Sequence, residues 1–149
     1  MKNNMITIRF AQPKDEATWC ELWDGYCRFY QTQLAEEITQ QTWQRILSPN
    51  SSLFCRMILV KNKPVGFALY VLHEGSWVTK PICYLEDLFV TPEHRGKGLG
   101  KALLDDLFTL SKQSDWSRIY WFTQKNNPAR ALYDQYATTD DFVRYQKNL

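Results

Sequence analysis

Three alternating glycines, in the run Arg95-Gly96-Lys97-Gly98-Leu99-Gly100, stand between two segments of different periodicity. Before them, Ile82 to Val90 is an apolar run of strand character. After them, Leu99, Leu103, Leu107 and Leu110 recur at helical spacing, leaving Lys101, Asp105 and Lys112 for solvent. Glycine loses more backbone freedom on ordering than any other residue, so such a run is costly unless the main chain needs it. The order therefore predicts a strand, a tight loop and a helix N-terminus. A helix start presents unpaired N–H groups and partial positive charge, and glycines let the backbone wrap closely around an anion. Arg95 and Lys97 add full charges, and a diphosphate is the natural occupant. The alternative is a glycine-rich turn that merely starts a helix.

Nucleotide motifs fail here on spacing. A dinucleotide fingerprint matches Gly96 and Gly98 but needs glycine where Lys101 stands. A P-loop built on Gly100-Lys101 puts its first glycine on Arg95 and its Ser or Thr on Ala102.

The rest of the chain reads as mixed α/β, a single domain over residues 1–149. Strands are expected at Ile6–Phe10, Phe54–Val60, Val65–Leu72, Ile82–Val90, Arg118–Thr123 and Phe142–Tyr145. Pro13 suits the first turn of a helix carrying Trp19, Leu22, Trp23, Tyr26, Cys27 and Tyr30 at three- and four-residue spacing. Further helices are expected over Thr39–Leu47 and from Pro128 to about Tyr136. Lys61 to Pro64 reads as a turn, His73 to Lys80 as a loop, and Gly66 as a bulge or close backbone approach.

With 44% apolar residues the domain can bury a core without disulfide or metal. Cys20, Cys27, Cys55 and Cys83 form no C-x-x-C, and His73 and His94 have no ligand-like spacing to them, so no metal is expected. The charge balance, 18 basic against 16 acidic residues, argues against nucleic acid as a partner. No apolar stretch approaches the ~20 residues of a membrane span. Met1-Lys2-Asn3-Asn4 leads into a strand rather than a leader's apolar core, so a cytoplasmic protein without membrane contact is expected.

The glycine run matches the R/Q-x-x-G-x-G/A signature of the GNAT acetyltransferases. Tyr84 to Val90 resembles the preceding strand of the spermidine/spermine and fungal histone/polyamine acetyltransferases, and Val65 to Tyr70 resembles the strand before that. Asn126, Ala129 and Tyr133 match the N-x-x-A-x-x-x-Y pattern that follows. The resemblance runs from about residue 64 onward. It implies an α/β (α+β mixed) GNAT fold: a mixed, mostly antiparallel sheet of about six to seven strands, splayed at strand 82–90 and flanked by about four helices. It implies acetyl-CoA as cosubstrate, held by Leu88, Phe89, Val90, Arg95, Gly96, Lys97, Gly98, Leu99, Gly100, Lys101, Asn126 and Tyr133. It also implies a homodimer.

Acetyl transfer to nitrogen needs a route for the amine proton, a donor for the oxyanion and an acid for the departing sulfur. The resemblance assigns the oxyanion donor to the Leu88 N–H and the acid to Tyr133. A phenol of pKa about 10 is protonated at neutral pH and can serve a thiolate whose acid lies near about 8.5. Glu86 and Asp87 interrupt an apolar strand, where an unpaired carboxylate is expensive. Alternation sends them to opposite faces, Glu86 with Tyr84 and Leu88, so Glu86 is the catalytic candidate for orienting the amine or relaying its proton. Asp87, Tyr26 and Tyr30 are further substrate contacts; the alternative for the tyrosines is core packing. Tyr84 stands where some protein-acetylating relatives carry a glutamate base. The expected function is N-acetylation of a primary amine (small amine, polyamine, amino acid or peptide) by direct attack in a ternary complex. The alternative is a non-catalytic acyl-CoA sensor or interaction module.

Overall fold

The computed structural model describes residues 5–149; Met1–Asn4, read above as a lead into the first strand, lie outside the described residues. The order is β1 (Ile6–Phe10), α1 (Glu16–Phe29), α2 (Glu36–Leu47), β2 (Leu53–Val60), β3 (Lys63–His73), β4 (Ile82–Val90), α3 (Leu99–Gln113), β5 (Arg118–Tyr120) and α4 (Arg130–Tyr133). The strands form one sheet in sequence order. β1 to β4 pair antiparallel and β5 joins β4 in parallel. Parallel neighbours need a crossover, and α3 supplies it.

The two faces of the sheet are packed differently. On one, the α1 stripe Trp19, Leu22, Trp23 and Cys27 is buried with Trp43 of α2 against Met57, Phe67 and Phe89. Trp19 stacks on Trp23 at 5.2 Å and on Trp43 at 5.1 Å between ring centres. The indole N–H groups of these three tryptophans are buried without a hydrogen-bond partner among the described residues. Ring contact and buried area hold this layer, not hydrogen bonds. On the other face Leu99, Leu103, Leu104 and Leu107 of α3 pack on Ile58, Ala68, Tyr70, Cys83 and Leu85. Arg56 of β2 reaches Asp106 of α3 through two bonds of 2.8 and 2.9 Å, tying that helix to the sheet.

Pro13 opens a single 3₁₀ turn, Pro13–Asp15, that leads into α1. Asp15 is buried; it accepts from the Gln12 N–H at 2.8 Å and from Arg9 at 2.7 and 3.0 Å. At the β2–β3 hairpin, Lys61 and Asn62 both have positive φ, 52° and 65°, as a two-residue turn of the favoured twist requires. Pro64, expected in that turn, lies inside β3.

Two bulges matter for the site. Ile58 pairs with Gly66 while Leu59 pairs with Pro64, so Val65 is extra. Beside it a Cβ on Gly66 would stand 2.5 Å from the Phe89 carbonyl oxygen, so glycine here allows β3 and β4 to close. In the second bulge, Leu69 pairs with Asp87 and Tyr70 with Leu85, leaving Glu86 extra in β4. This corrects the alternation expected for β4. Cys83 and Leu85 face α3, and after the extra residue so do Leu88 and Val90. Glu86 and Asp87 therefore share the α1 side, and Leu88 does not share a face with Glu86.

Other expectations shrink. The sheet has five strands, not six to seven. β5 ends at Tyr120 rather than Thr123, and the last helix spans Arg130–Tyr133 between turns rather than Pro128 to Tyr136. Phe142–Tyr145 is not a strand; Phe142 and Tyr145 are 85% and 92% exposed. Its aromatic and β-branched residues are strand-like, but a strand needs a neighbour for its N–H and C=O groups, and the edge strand β5 is only three residues long. Among the described residues no helix is long and apolar enough to cross a membrane.

Candidate active site

The sheet opens where β4 and β5 part. Their pairing runs Ile82 with Arg118, Cys83 with Ile119 and Tyr84 with Tyr120, and stops there. β4 continues to Val90, so its outer edge from Leu85 onward has no strand beside it. The direction of the main-chain groups on that edge follows from three contacts. The Thr91 N–H donates to Val65 of β3 at 2.9 Å. The Phe89 carbonyl points toward β3 at Gly66. The Val90 carbonyl, in contrast, accepts from Arg95 Nε at 2.9 Å. Successive residues of a strand turn their polar groups to opposite sides. The N–H groups of Leu88 and Val90 consequently face the gap.

At the end of β4 the chain makes a 3₁₀ turn, Pro92–His94, and enters the glycine run. Gly96 and Gly98 take φ of 75° and 79°, the left-handed region that favours glycine. A Cβ at either would meet nothing within 4 Å, so open space, not crowding, surrounds them. Gly98 is the N-cap of α3, and its carbonyl accepts the first helical bond, from Ala102. Among the described residues the N–H groups from Gly96 to Lys101 donate to no protein acceptor. Free amides at the start of a long helix, with left-handed glycines beside them, suit an anion such as a diphosphate.

Of the two side chains expected to add charge to this cradle, Arg95 is engaged elsewhere and Lys97 is free in solvent; the neighbouring Lys101 is also paired. Arg95 turns back to the sheet, its guanidinium 4.9 Å over the Phe29 ring and 5.5 Å from that of Phe89. Planar guanidinium groups stack well on rings, and the Val90 carbonyl satisfies the Nε. Lys101 pairs with Asp105 at 3.1 Å, one helical turn on. Lys97 is exposed.

Across the gap, Phe29, Tyr30, Gln31, Gln124, Asn126, Asn127 and Pro128 line a cleft of about 350 Å³. Both asparagines line it, and the local capping bond belongs to Asn127, whose Oδ1 accepts from the Ala129 N–H at 2.9 Å. Tyr133, on α4, meets Trp121 edge-on at 5.5 Å. Burial, and to a smaller degree neighbouring Tyr30, push its phenol above the ordinary value, so it stays protonated at neutral pH. Gly100 adjoins α4, its hypothetical Cβ 3.9 Å from Leu132.

On the α1 side, the Tyr26 hydroxyl donates a short hydrogen bond to Asp87. Burial raises the Asp87 carboxyl to about 6, against the lowering effect of that bond. The Tyr26 phenol is pushed far up by burial and by Asp87. Glu86 is more open; burial raises it and Arg45 of α2 lowers it. Tyr30, at the C-cap of α1, lies 4.9 Å from Tyr26 and 5.0 Å from Phe29 between ring centres. The aromatic stripe of α1 thus divides, Trp19 and Trp23 into the core and Tyr26, Phe29 and Tyr30 toward the gap. The sequence reading overlooked Tyr120, Phe122 and Arg144, which gather beside Tyr84. The alternation of Tyr120 and Phe122 was a signal, but nothing local linked it to Arg144.

Residues 16–137 match the Acetyltransferase (GNAT) family. The chain is 31% identical to the D-amino-acid N-acetyltransferase HPA3 of Saccharomyces cerevisiae, over 99% of this chain and 94% of that one. It is 28% identical to the thialysine N-epsilon-acetyltransferase of Caenorhabditis elegans, over 66% of this chain and 59% of that one. Among solved structures, a possible acetyltransferase from Clostridium difficile 630 has a TM-score of 0.85 at 17% identity, covering 97% of this chain and 98% of that one. An aminoglycoside acetyltransferase from an uncultured soil metagenomic sample has a TM-score of 0.81 at 18% identity, covering 100% and 99%. The solved structures attest the fold; the family match over most of the length attests more, and the chain belongs to the acetyltransferase (GNAT) family, as an N-acetyltransferase of a family whose cosubstrate is acetyl-CoA.

Proposed function

We propose that the protein acetylates the primary amine of a small molecule by direct attack in a ternary complex. The observation that carries this reading is the gap beside β4. There the free Leu88 and Val90 amides lie between the Gly96–Lys101 cradle on one side and the Glu86–Asp87 pair on the other. Acetyl-CoA supplies the acyl thioester.

The chain's own groups divide the work. The amides of Gly96, Lys97, Gly98, Leu99, Gly100 and Lys101 hold the diphosphate. Phe89 and Val90 form the strand edge along which the donor's arm lies, and Asn126 lines its far wall. The Val90 carbonyl is already bonded to Arg95, so Val90 contributes its N–H alone. The Leu88 N–H donates to the oxygen on which negative charge develops. Tyr133 gives its phenolic proton to the departing sulfur and regains one from solvent. Glu86 meets the amine; the cationic form first gives up its extra proton to solvent, and Glu86 then takes the proton that nitrogen loses as it bonds to the acyl carbon and passes it to solvent. Asp87, fixed by Tyr26, holds a second negative charge beside it and draws the cationic form of the amine into the gap. Tyr30 bounds the space between the amine and Tyr133. The names of the two sequence relatives, for a D-amino acid and for thialysine, support an amine carried by an amino acid.

The test is a panel of polyamines, amino acids and peptides, read by release of free thiol from acetyl-CoA. Acetylation of at least one amine, with kcat lowered about 100-fold in Tyr133→Phe and acetyl-CoA affinity intact, supports the roles given. Unchanged kcat in that variant removes Tyr133 from the chemistry.

A further inference from the structure

Beside Glu86 the sheet carries an aromatic arrangement that the acetyl-transfer chemistry leaves unused. Tyr84 and Tyr120 stack with ring centres 4.9 Å apart and planes 10° apart. Phe122 meets both edge-on, 5.8 Å from Tyr84 and 6.0 Å from Tyr120. Ile119 and Trp121 pack into the α3 layer, so Tyr120 and Phe122 turn to the opposite face, the one that holds Glu86. Phe122 is exposed. An exposed ring near a carboxylate is good ground for an ammonium, which is drawn to the ring face and to the anion together. With these residues alone, the wall would suit an acceptor with two or more ammonium groups.

Arg144 changes that balance. It comes from the exposed chain beyond α4 and holds its guanidinium 4.9 Å over the Phe122 ring, where a second ammonium would otherwise settle. Among the described residues no carboxylate forms an ion pair with Arg144. Burial pushes the Tyr84 phenol up; Glu86 adds to that and Arg144 opposes it, so both charges act on one ring. Two further cations stand around the wall. Arg45 of α2 opposes the rise that burial gives Glu86, and Arg95 lies over Phe29. Arg45, Arg95 and Arg144 thus surround the carboxylates of Glu86 and Asp87. That balance admits the ammonium to be acetylated and leaves no anion for another.

We infer that Arg144 is a specificity-determining residue: lying over Phe122, it repels an acceptor that carries a second ammonium without a carboxylate of its own. The site therefore takes monoamines and rejects diamines and polyamines. This role rests on the acetyl-transfer reading above and adds which amines the wall admits.

Steady-state kinetics with n-pentylamine and putrescine test it, because the two differ only in a terminal methyl group against an ammonium. The readout is the ratio of their kcat/KM values. If neither is acetylated, the ratio of their inhibition constants against an amine that is acetylated serves the same purpose. In the wild type at low salt pentylamine is expected to be favoured roughly tenfold or more, since like charges across a binding face cost at least that much. Arg144→Gln lowers the ratio several-fold, Arg144→Glu lowers it further, and Arg144→Lys keeps it. Raising salt from about 0.05 to about 1 M narrows the wild-type ratio by screening, a test that needs no variant. A ratio that neither Arg144→Gln nor salt alters, or a wild type that prefers putrescine or spermidine, overturns the role of Arg144 while amine acetylation stands. Acetyl-CoA binding without acetylation of any amine overturns the acetyl-transfer reading, and this role with it.

Discussion

The cradle at Gly96–Lys101 and the wall around Glu86 face the same gap, yet they are made of different material. The cradle is main chain: amides of consecutive residues, aimed by two left-handed glycines and the first turn of α3. The wall is side chain: Tyr26 and Tyr30 from α1, Glu86 and Asp87 from a bulge in β4, Tyr120 and Phe122 from β5 and beyond, and Arg144 from the last residues. A backbone cradle tolerates almost any side chain that leaves its φ angles alone. A side-chain wall can be rewritten one residue at a time. The difference implies that donor and acceptor recognition are separable, and each prediction below tests that separation.

Gly98→Val is expected to have the largest effect. A β-branched residue is strained at φ of 79° and fills the open space proposed for the anion. Acetyl-CoA affinity should fall at least about 100-fold by calorimetry, because loss of several charge-assisted bonds is involved. Every acceptor should suffer equally. A loss confined to some acceptors would break the distinction between the halves.

Asp87→Asn should act on the acceptor side alone. With Asp87 near 6, the charge that draws in the amine is lost as pH falls through 6, so kcat/KM for the amine should decline there in the wild type. The asparagine variant should lack that limb, with activity lower by roughly tenfold at pH 7.5 and acetyl-CoA affinity unchanged. An identical pH profile in both proteins would count against Asp87.

Asp15 supplies the contrast within the wall's own helix layer. Arg9 holds its carboxyl below the ordinary value of 3.8, whereas burial lifts Asp87 above it. The signs for stability are opposite. Asp15 stabilises the fold above its unfolded value, and that contribution is lost as pH falls through its depressed folded value. Asp87's contribution is complete below 3.8 and lost as pH rises through about 6. Asp15→Asn should therefore destabilise the protein by about 1–3 kcal/mol at pH 7 in denaturant titration. Neither acetyl-CoA affinity nor amine KM should change in that variant.

Asn126→Ala should have the smallest effect, a few-fold rise in the KM for acetyl-CoA. Asn127→Ala removes the bond to the Ala129 N–H and should lower thermal stability by about 1 kcal/mol with less effect on that KM. If Asn126→Ala cost the stability and Asn127→Ala did not, the assignment of the capping bond to Asn127 would fail.

The donor half was legible in the sequence because its determinants are local. Glycines at Gly96 and Gly98 declare a left-handed backbone, and the leucine spacing declares the helix that follows. The acceptor half was legible only in part. Glu86 and Asp87 stood out as charges in an apolar strand, but their shared face depends on one unpaired residue in β4, which depends in turn on how β3 is registered against it. Tyr26 could be read as core or pocket until its hydroxyl met Asp87, sixty-one residues away in the chain.

By itself the sequence determined the order of strands and helices as far as the last helix, the glycine loop that opens α3 and the family to which the chain belongs, since these follow from periodicity, glycine placement and short-range spacing. The tertiary structure alone decided which charges face the gap, that Arg95 and Lys101 are engaged elsewhere, that Phe142–Tyr145 finds no strand partner and that Arg144 lies over Phe122. Those outcomes turn on pairing register and on contacts between residues far apart in the chain. Shifting a strand by one residue reverses every face, and no local pattern records that choice.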